Sequence, residues 1–214
     1  MKNQNLSELK SQLSNEADLE VSPERTPDIG IIMGSDSDLS AMKGAHKALD
    51  TLGFGEQVSF GHPPDGRFSY ETYVVSAHRT PSLMYRYAKT AADRGIEVII
   101  AGAGGKSADL PNMTASLAYP LPVIGVPVQE KSVDSVIGMP TGAPIVAVDA
   151  GKSFNAALSA VQILARGYPE LSEALQSYQD SLVSDVAETA VDLHDFGVDE
   201  FMQMTDELNP TGTS

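Results

Sequence analysis

Residues 29–38 read IGIIMGSDSD, and this stretch decides the fold. Ile29 to Met33 form a short, unbroken apolar run that closes on Gly34. A half-buried strand would alternate, so an unbroken run points to a strand covered on both faces, as in a parallel sheet. The polar turn Ser35-Asp36-Ser37-Asp38 follows. Beyond it Leu39, Met42, Ala45, Leu49 and Leu52 recur at three- and four-residue spacing, which makes one apolar helix face. Ser35 or Ser37 is placed to cap that helix, and Asp36 and Asp38 suit its positive dipole end. Gly53 ends it. A buried strand that turns sharply into a helix is the opening of a βαβ unit.

Read outward, the same alternation recurs. Residues 54–70 form a Gly/Pro-rich loop, long for a compact domain. Tyr73 to Ser76 reads as a second strand. Thr80-Pro81 opens a second helix, with proline in its first turn, running through Leu83, Tyr87 and Ala91 to Gly95. Ile96 to Gly105 is a third strand that runs into a glycine loop. A short helix over 107–118, a fourth strand over 121–128 and a fifth from Ala143 to Gly151 follow, then a helix from Ser153 to Ala165. This order predicts an α/β fold with a parallel sheet covered by helices on both faces. Residues 1–27 are expected to be a polar N-terminal extension, with one weak amphipathic helix (Leu6, Leu9, Leu13, Leu19) stopped by Pro23 and Pro27. Residues 28–166 are the expected α/β domain. Residues 167–214 are an acidic C-terminal helix and tail lying outside the α/β pattern, the helix running from Pro169 and the last ten residues frayed.

Composition narrows the function. The 214 residues hold 14 basic and 29 acidic side chains, a net charge of −15. Such a chain repels phosphodiester backbones and anionic membrane surfaces, so neither nucleic acid nor membrane is an expected partner. Cysteine is absent, which excludes disulfides, thiolate metal sites and cysteine nucleophiles. No apolar run approaches the roughly 20 residues of a membrane span, and no signal-peptide core is present, so a cytoplasmic protein is expected. The charge is uneven. Residues 167–214 carry 11 acids and no Lys or Arg, leaving 18 acids against 14 bases in residues 1–166. The α/β part is therefore nearly balanced and hospitable to an anionic ligand.

In open parallel sheets, ligands sit beyond the C-terminal strand ends. Three polar, glycine-rich loops fall there. The first, Gly34 to Asp38, offers backbone N–H groups, two hydroxyls and a helix N-terminus, an anion pocket in the making; helix capping accounts for any one of these residues equally well. The second, Ser76-Ala77-His78-Arg79-Thr80-Pro81, places a proton carrier beside a guanidinium able to fork onto phosphate or carboxylate. The third, Gly102-Ala103-Gly104-Gly105-Lys106-Ser107, permits close backbone approach and adds a positive charge. A lone histidine is more often structural, and His46, His62 and His194 are read that way. No His/Asp/Glu spacing matches a metal site, and no Walker or GxSxG motif is present.

In order along the chain, IGIIMGSDSD, VVSAHRTP, VIIAGAGG with LPNM, PVIGVPVQ, MPTGAPIVAV and NAALSAVQILA resemble the PurE family. These are the N5-carboxyaminoimidazole ribonucleotide (N5-CAIR) mutases of purine biosynthesis, also described as catalytic subunits of phosphoribosylaminoimidazole carboxylase. The resemblance covers about Asp28 to Ala165. It implies a three-layer α/β/α sandwich with a flavodoxin-like parallel sheet, assembled as a homo-octamer. It implies a small-molecule ribonucleotide substrate and no metal or organic cofactor. The reaction it implies moves a carboxylate from the exocyclic nitrogen to C4 of the imidazole, giving 4-carboxy-5-aminoimidazole ribonucleotide (CAIR), with His78 as acid and then base. Ser35, Ser37 and Arg79 would hold the ribose phosphate, Asp38 the ribose hydroxyls. Ser76 and the run Gly102, Ala103, Gly104, Gly105 and Lys106 complete the expected contacts.

One departure stands out. Where the bacterial pattern commonly reads AAHLPGM, this chain reads KSADLPNM, one residue longer, with Asp109 at the histidine's place. Lys106 is the expected compensation. The SAHRTP loop favours the mutase over a direct CO2-dependent carboxylase of 5-aminoimidazole ribonucleotide (AIR), whose animal-type form reads SAHK. The other readings are a related carboxylase of pyridine nucleotides and a non-catalytic flavodoxin-like nucleotide-binding module.

Overall fold

The computed structural model describes residues 2–208, with side chains described from 4 to 205. Residues up to Ser172 form one compact unit and those from Glu173 a second. The first unit is a three-layer α/β/α sandwich. Its strands are β1 (Ile29–Met33), β2 (Gly55–Glu56), β3 (Ser69–Val74), β4 (Val98–Ala103), β5 (Val123–Pro127) and β6 (Val146–Ala147), all parallel, in the order β2-β3-β1-β4-β5-β6. Apart from the two-residue edge strand β2, this is the flavodoxin-like order. The helices are α1 (Lys2–Ala17), α2 (Leu39–Thr51), α3 (Pro81–Thr90), α4 (Leu110–Ala118), α5 (Val133–Ile137), α6 (Ser153–Leu164) and α7 (Pro169–Leu208).

The opening stretch does what its pattern predicts. Every residue of β1 is buried, and so is every residue of β4 and β5. Helices α2 and α6 share one face of the sheet; α1, α3 and α4 share the other. Glycines set two of these close approaches. A Cβ on Gly102 would meet Met42 of α2, and one on Gly44 would lie 3.0 Å from the backbone nitrogen of Phe154 in α6.

Several boundaries differ from the sequence reading. The second strand begins at Ser69, four residues earlier than expected, and ends at Val74. The Asp28 carboxylate accepts the Ser69 N–H at 2.7 Å and so aligns β3 beside β1. Hydropathy did not reveal this because β3 carries the buried Glu71. The 54–70 segment is anchored at both ends by buried Phe54 and Phe68 and contributes β2. The fifth expected strand shrinks to the two residues of β6, and the short helix α5 lies between β5 and β6 where the sequence pattern shows no helix.

The N-terminal segment, expected as an extension ahead of the domain, is built into it. Leu13 is fully buried, and Glu16 reaches Arg94 at 3.5 Å. Arg94 is itself fully buried, 2.7 Å from Glu71 and with its guanidinium 4.9 Å from the Tyr87 ring centre. One cation thereby ties α1, β3 and the turn after α3 together. The unit boundary falls inside α7 rather than ahead of it, because Leu171 in the first turn is buried. In the second unit α7 continues with Gly197 at φ 73°, outside helical geometry, and all residues from 181 to 200 are exposed. Of the ten terminal residues expected to be frayed, 209–214 lie outside the described residues.

Burial pushes the Asp28 carboxyl up to about 6, against the Ser69 hydrogen bond and Arg67, which favour the charged form. Its unfolded value is near 3.9. The folded state therefore binds the proton more tightly, and Asp28's contribution to stability is present below about pH 4 and lost as pH rises through 6. Asp28→Asn keeps an acceptor for Ser69 and removes the charge. The variant is expected to gain on the order of 2–3 kcal/mol over the parent near pH 7 and little near pH 4. Urea unfolding at the two pH values measures the difference; an equal effect at both would contradict this account.

Candidate active site

The parallel register sets the site. Met33 pairs with Val74 on one side and Gly102 on the other, so β1, β3 and β4 end at one level. Their three following loops meet there, around a cavity of about 460 Å³, a size suited to a nucleotide-like ligand.

The first loop is held by its own side chains. The Asp38 carboxylate accepts the Ser35 N–H at 3.1 Å, and the Ser35 side chain accepts a backbone N–H in return, a reciprocal cap. The Ser35 and Ser37 hydroxyls are 2.5 Å apart. Burial pushes the Asp38 carboxyl up, opposed by the Ser35 bonds and Arg79. Asp38 also explains Gly104: a Cβ there would come within 3.2 Å of its Oδ1.

The second loop folds on itself. The Ser76 N–H donates to Thr80 Oγ1 at 2.9 Å, and the Arg79 N–H donates to Ser76 Oγ at 3.1 Å. Arg79 donates from its guanidinium to the Gly34 carbonyl at 2.9 Å, which ties the second loop to the first. His78 is exposed toward the cavity, its Nε2 2.8 Å from Asp109 Oδ2. Asp109 is held from the other side by the Ser135 hydroxyl, 3.3 Å from its Oδ1, and Asn112 donates to the Ser135 carbonyl at 2.6 Å.

Of the expected residues, the cavity is lined by Ser35, Ser37, Asp38, Ser76, His78 and Arg79, and by Ala103, Gly104 and Gly105. Two of the expected residues, Gly102 and Lys106, do not line it. Gly102 is still within β4, its space taken by Met42, and Lys106 is exposed and does not line the cavity. Gly105, at φ 85°, turns the chain so that Ser107 and Asp109 line the wall instead. The cation on that wall is Lys131, with Gln129, from the loop after β5. The loop PVQEKS follows a parallel strand just as the other three do, which is the signal in the sequence that points to it.

Of the other histidines, His194 is exposed in the second unit, and His46 and His62 are held by the fold. His46 contacts Met42 O at 3.2 Å and Thr72 Oγ1 at 3.0 Å, and His62 contacts Phe60 O at 3.1 Å. Among the described residues no group of three or more His, Cys, Asp or Glu side chains could hold a metal. Nor is any described helix long and apolar enough to cross a membrane.

Comparison with known proteins agrees with this geometry. The family model described as AIR carboxylase matches residues 28–185. An N5-carboxyaminoimidazole ribonucleotide mutase of Thermotoga maritima is 42% identical over 182 residues, covering 82% of this chain and 97% of the relative. One of Aquifex aeolicus is 52% identical over 155 residues, 70% of this chain and 83% of the relative. The crystal structure of Treponema denticola PurE superposes with a TM-score of 0.60 at 25% identity, over 80% of this chain and 99% of that one. With three loops converging on His78 and Arg79, a flavodoxin-like sheet beneath them and relatives of this closeness over most of its length, the chain belongs to the AIR carboxylase (PurE) family.

Proposed function

We propose that the chain is a PurE-type mutase of purine biosynthesis that converts N5-CAIR into CAIR. The observation that carries this reading is His78 beside Arg79 in one nucleotide-sized cavity, in a chain whose relatives of 41–52% identity include several mutases. Arg79, the Ser35 and Ser37 hydroxyls and the N-terminus of the turn before α2 suit the ribose phosphate; Asp38 suits the ribose hydroxyls. Lys131 faces the same space and suits a carboxylate.

The chemistry is a decarboxylation followed by a recarboxylation. The carbamate C–N bond breaks, CO2 departs, and the electron pair stays on nitrogen, which takes a proton from His78. AIR remains. Its C4 then attacks CO2, forming the new C–C bond, and His78, now neutral, removes the C4 proton. One residue thus acts as acid and then base, and no net proton is consumed. The Gly104-Gly105 backbone in the cavity wall lets the imidazole approach closely, which limits the space left for water and for CO2 to escape.

Direct CO2-dependent carboxylation of AIR is the second reading, favoured only if bicarbonate proves obligatory. The deciding assay follows N5-CAIR by its consumption without ATP and without bicarbonate. Conversion under those conditions is expected; turnover of AIR alone, and only at high bicarbonate, would overturn the mutase reading. The proposal includes a cytoplasmic location and a homo-octamer. The exposed apolar side chains of α7, Val183, Val186, Val191 and Phe196 among them, suit contact with further copies. Light scattering is expected to give eight times the chain mass of 22.6 kDa.

A further inference from the structure

From the geometry around His78 we propose that Asp109 fixes the tautomer of this histidine, so that Nδ1 is the atom that carries the travelling proton. This rests on the reading of His78 as the acid/base group. His78 Nε2 lies 2.8 Å from Asp109 Oδ2, a hydrogen-bond distance that requires one proton between the two atoms. An ionised carboxylate accepts only, so that proton sits on Nε2 in both states of the ring. Neutral His78 then has its lone pair on Nδ1. Among the described residues Nδ1 has no hydrogen-bond partner, while the ring lines the cavity. In the charged state Nδ1–H donates to the departing nitrogen; in the neutral state Nδ1 takes the proton from C4. The Nε2–H stays with Asp109 through both steps, and the proton balance closes.

The supports of Asp109 fit a positioning role. Its second oxygen takes the Ser135 hydroxyl at 3.3 Å, and Ser135 belongs to α5. Asn112, in α4, donates to the Ser135 carbonyl at 2.6 Å. The carboxylate is therefore braced from α5 and α4 while it faces the ring from the start of α4. Hydrogen-bonded partners behind a reacting imidazole set which nitrogen holds the proton and how the ring is turned. A carboxylate in this place accepts only, and so imposes one tautomer on the ring.

The test combines rate and spectroscopy on the intact protein. Long-range 1H–15N spectra of protein labelled at histidine are expected to show neutral His78 protonated at Nε2 and bare at Nδ1. The signal is assigned by its absence in His78→Asn. In Asp109→Asn, whose amide both accepts and donates, the single tautomer is expected to be lost. Its kcat is expected to fall by about tenfold or more, with KM changed less than about twofold. Asp109→Glu, which keeps a carboxylate, should recover the tautomer and part of kcat. Ser135→Ala, which leaves the carboxylate in place, should keep the tautomer with a smaller loss in kcat. An unchanged spectrum or an unchanged kcat in folded Asp109→Asn overturns the proposal. Activity retained in His78→Asn would instead overturn the acid/base reading, so the two failures are distinguishable.

Discussion

Asparagine in place of His78 is expected to lower the conversion of N5-CAIR to CAIR by a factor of about 10²–10⁴, the usual worth of a positioned acid/base group. The side chain is exposed toward the cavity and, among the described residues, hydrogen-bonds only to Asp109, so the fold does not depend on it. Asn matches the polarity and approximate reach of imidazole but cannot gain or lose a proton near neutral pH. The loss should appear in kcat, because ligand anchoring falls to Arg79 and the first loop, which the change leaves intact. The thermal midpoint should move by less than a few degrees. Steady-state kinetics with purified N5-CAIR measures the effect, and a loss below tenfold would remove His78 from the chemistry.

Loss of Arg94 is expected to have the largest effect on stability. Its guanidinium is fully buried among Glu71, Glu16, Tyr87 and Tyr73. Two nearly buried carboxyls depend on this one cation, and Glu16 is already pushed up by burial. Arg94→Ala removes the compensation and opens a cavity. Breaking a buried ion pair from one side costs about 3–5 kcal/mol. For a chain of this size that corresponds to a fall in Tm of roughly 6–20 °C. Calorimetry on the purified variant tests this. The combination of Arg94→Met with Glu71→Gln and Glu16→Gln should recover much of the loss, since a neutral, well-packed cluster leaves no stranded charge. A loss below about 1 kcal/mol in the single variant would mean that water reaches the cluster. The substitution lies away from the cavity, so kcat at low temperature should be nearly unchanged.

His78 and Arg94 differ in how far local sequence reveals them. His78 and Arg79 were legible in SAHRTP because their residue types fall in a strand-to-helix loop, where parallel sheets place ligands. Ser35, Asp38 and Gly104 were legible for the same reason. Arg94 was not. Nothing in the run AADRGIE distinguishes a buried arginine from a solvated one at the end of a helix. Its burial depends on Glu71 and Glu16, which lie 23 and 78 residues away along the chain. The strand that carries Glu71 starts four residues ahead of its apolar run for a related reason. A charged residue in a strand reads as exposed until its partner is known.

The sequence by itself determined the alternation of strand and helix, the parallel sheet and the three loops at one edge, because side-chain period, helix caps and glycine turns are local properties. It also determined where the acidity lies, since the basic residues all precede Gly167. Only the tertiary structure decided which side chains meet. The register of β1 against β3 and β4 brings His78 to Asp109, 31 residues further on, and the turn at Gly105 leaves Lys106 outside the cavity while Lys131 lines it from the next loop. Distances of a few ångströms between loops follow from how whole strands align and where backbones turn, and no local pattern along the chain encodes them.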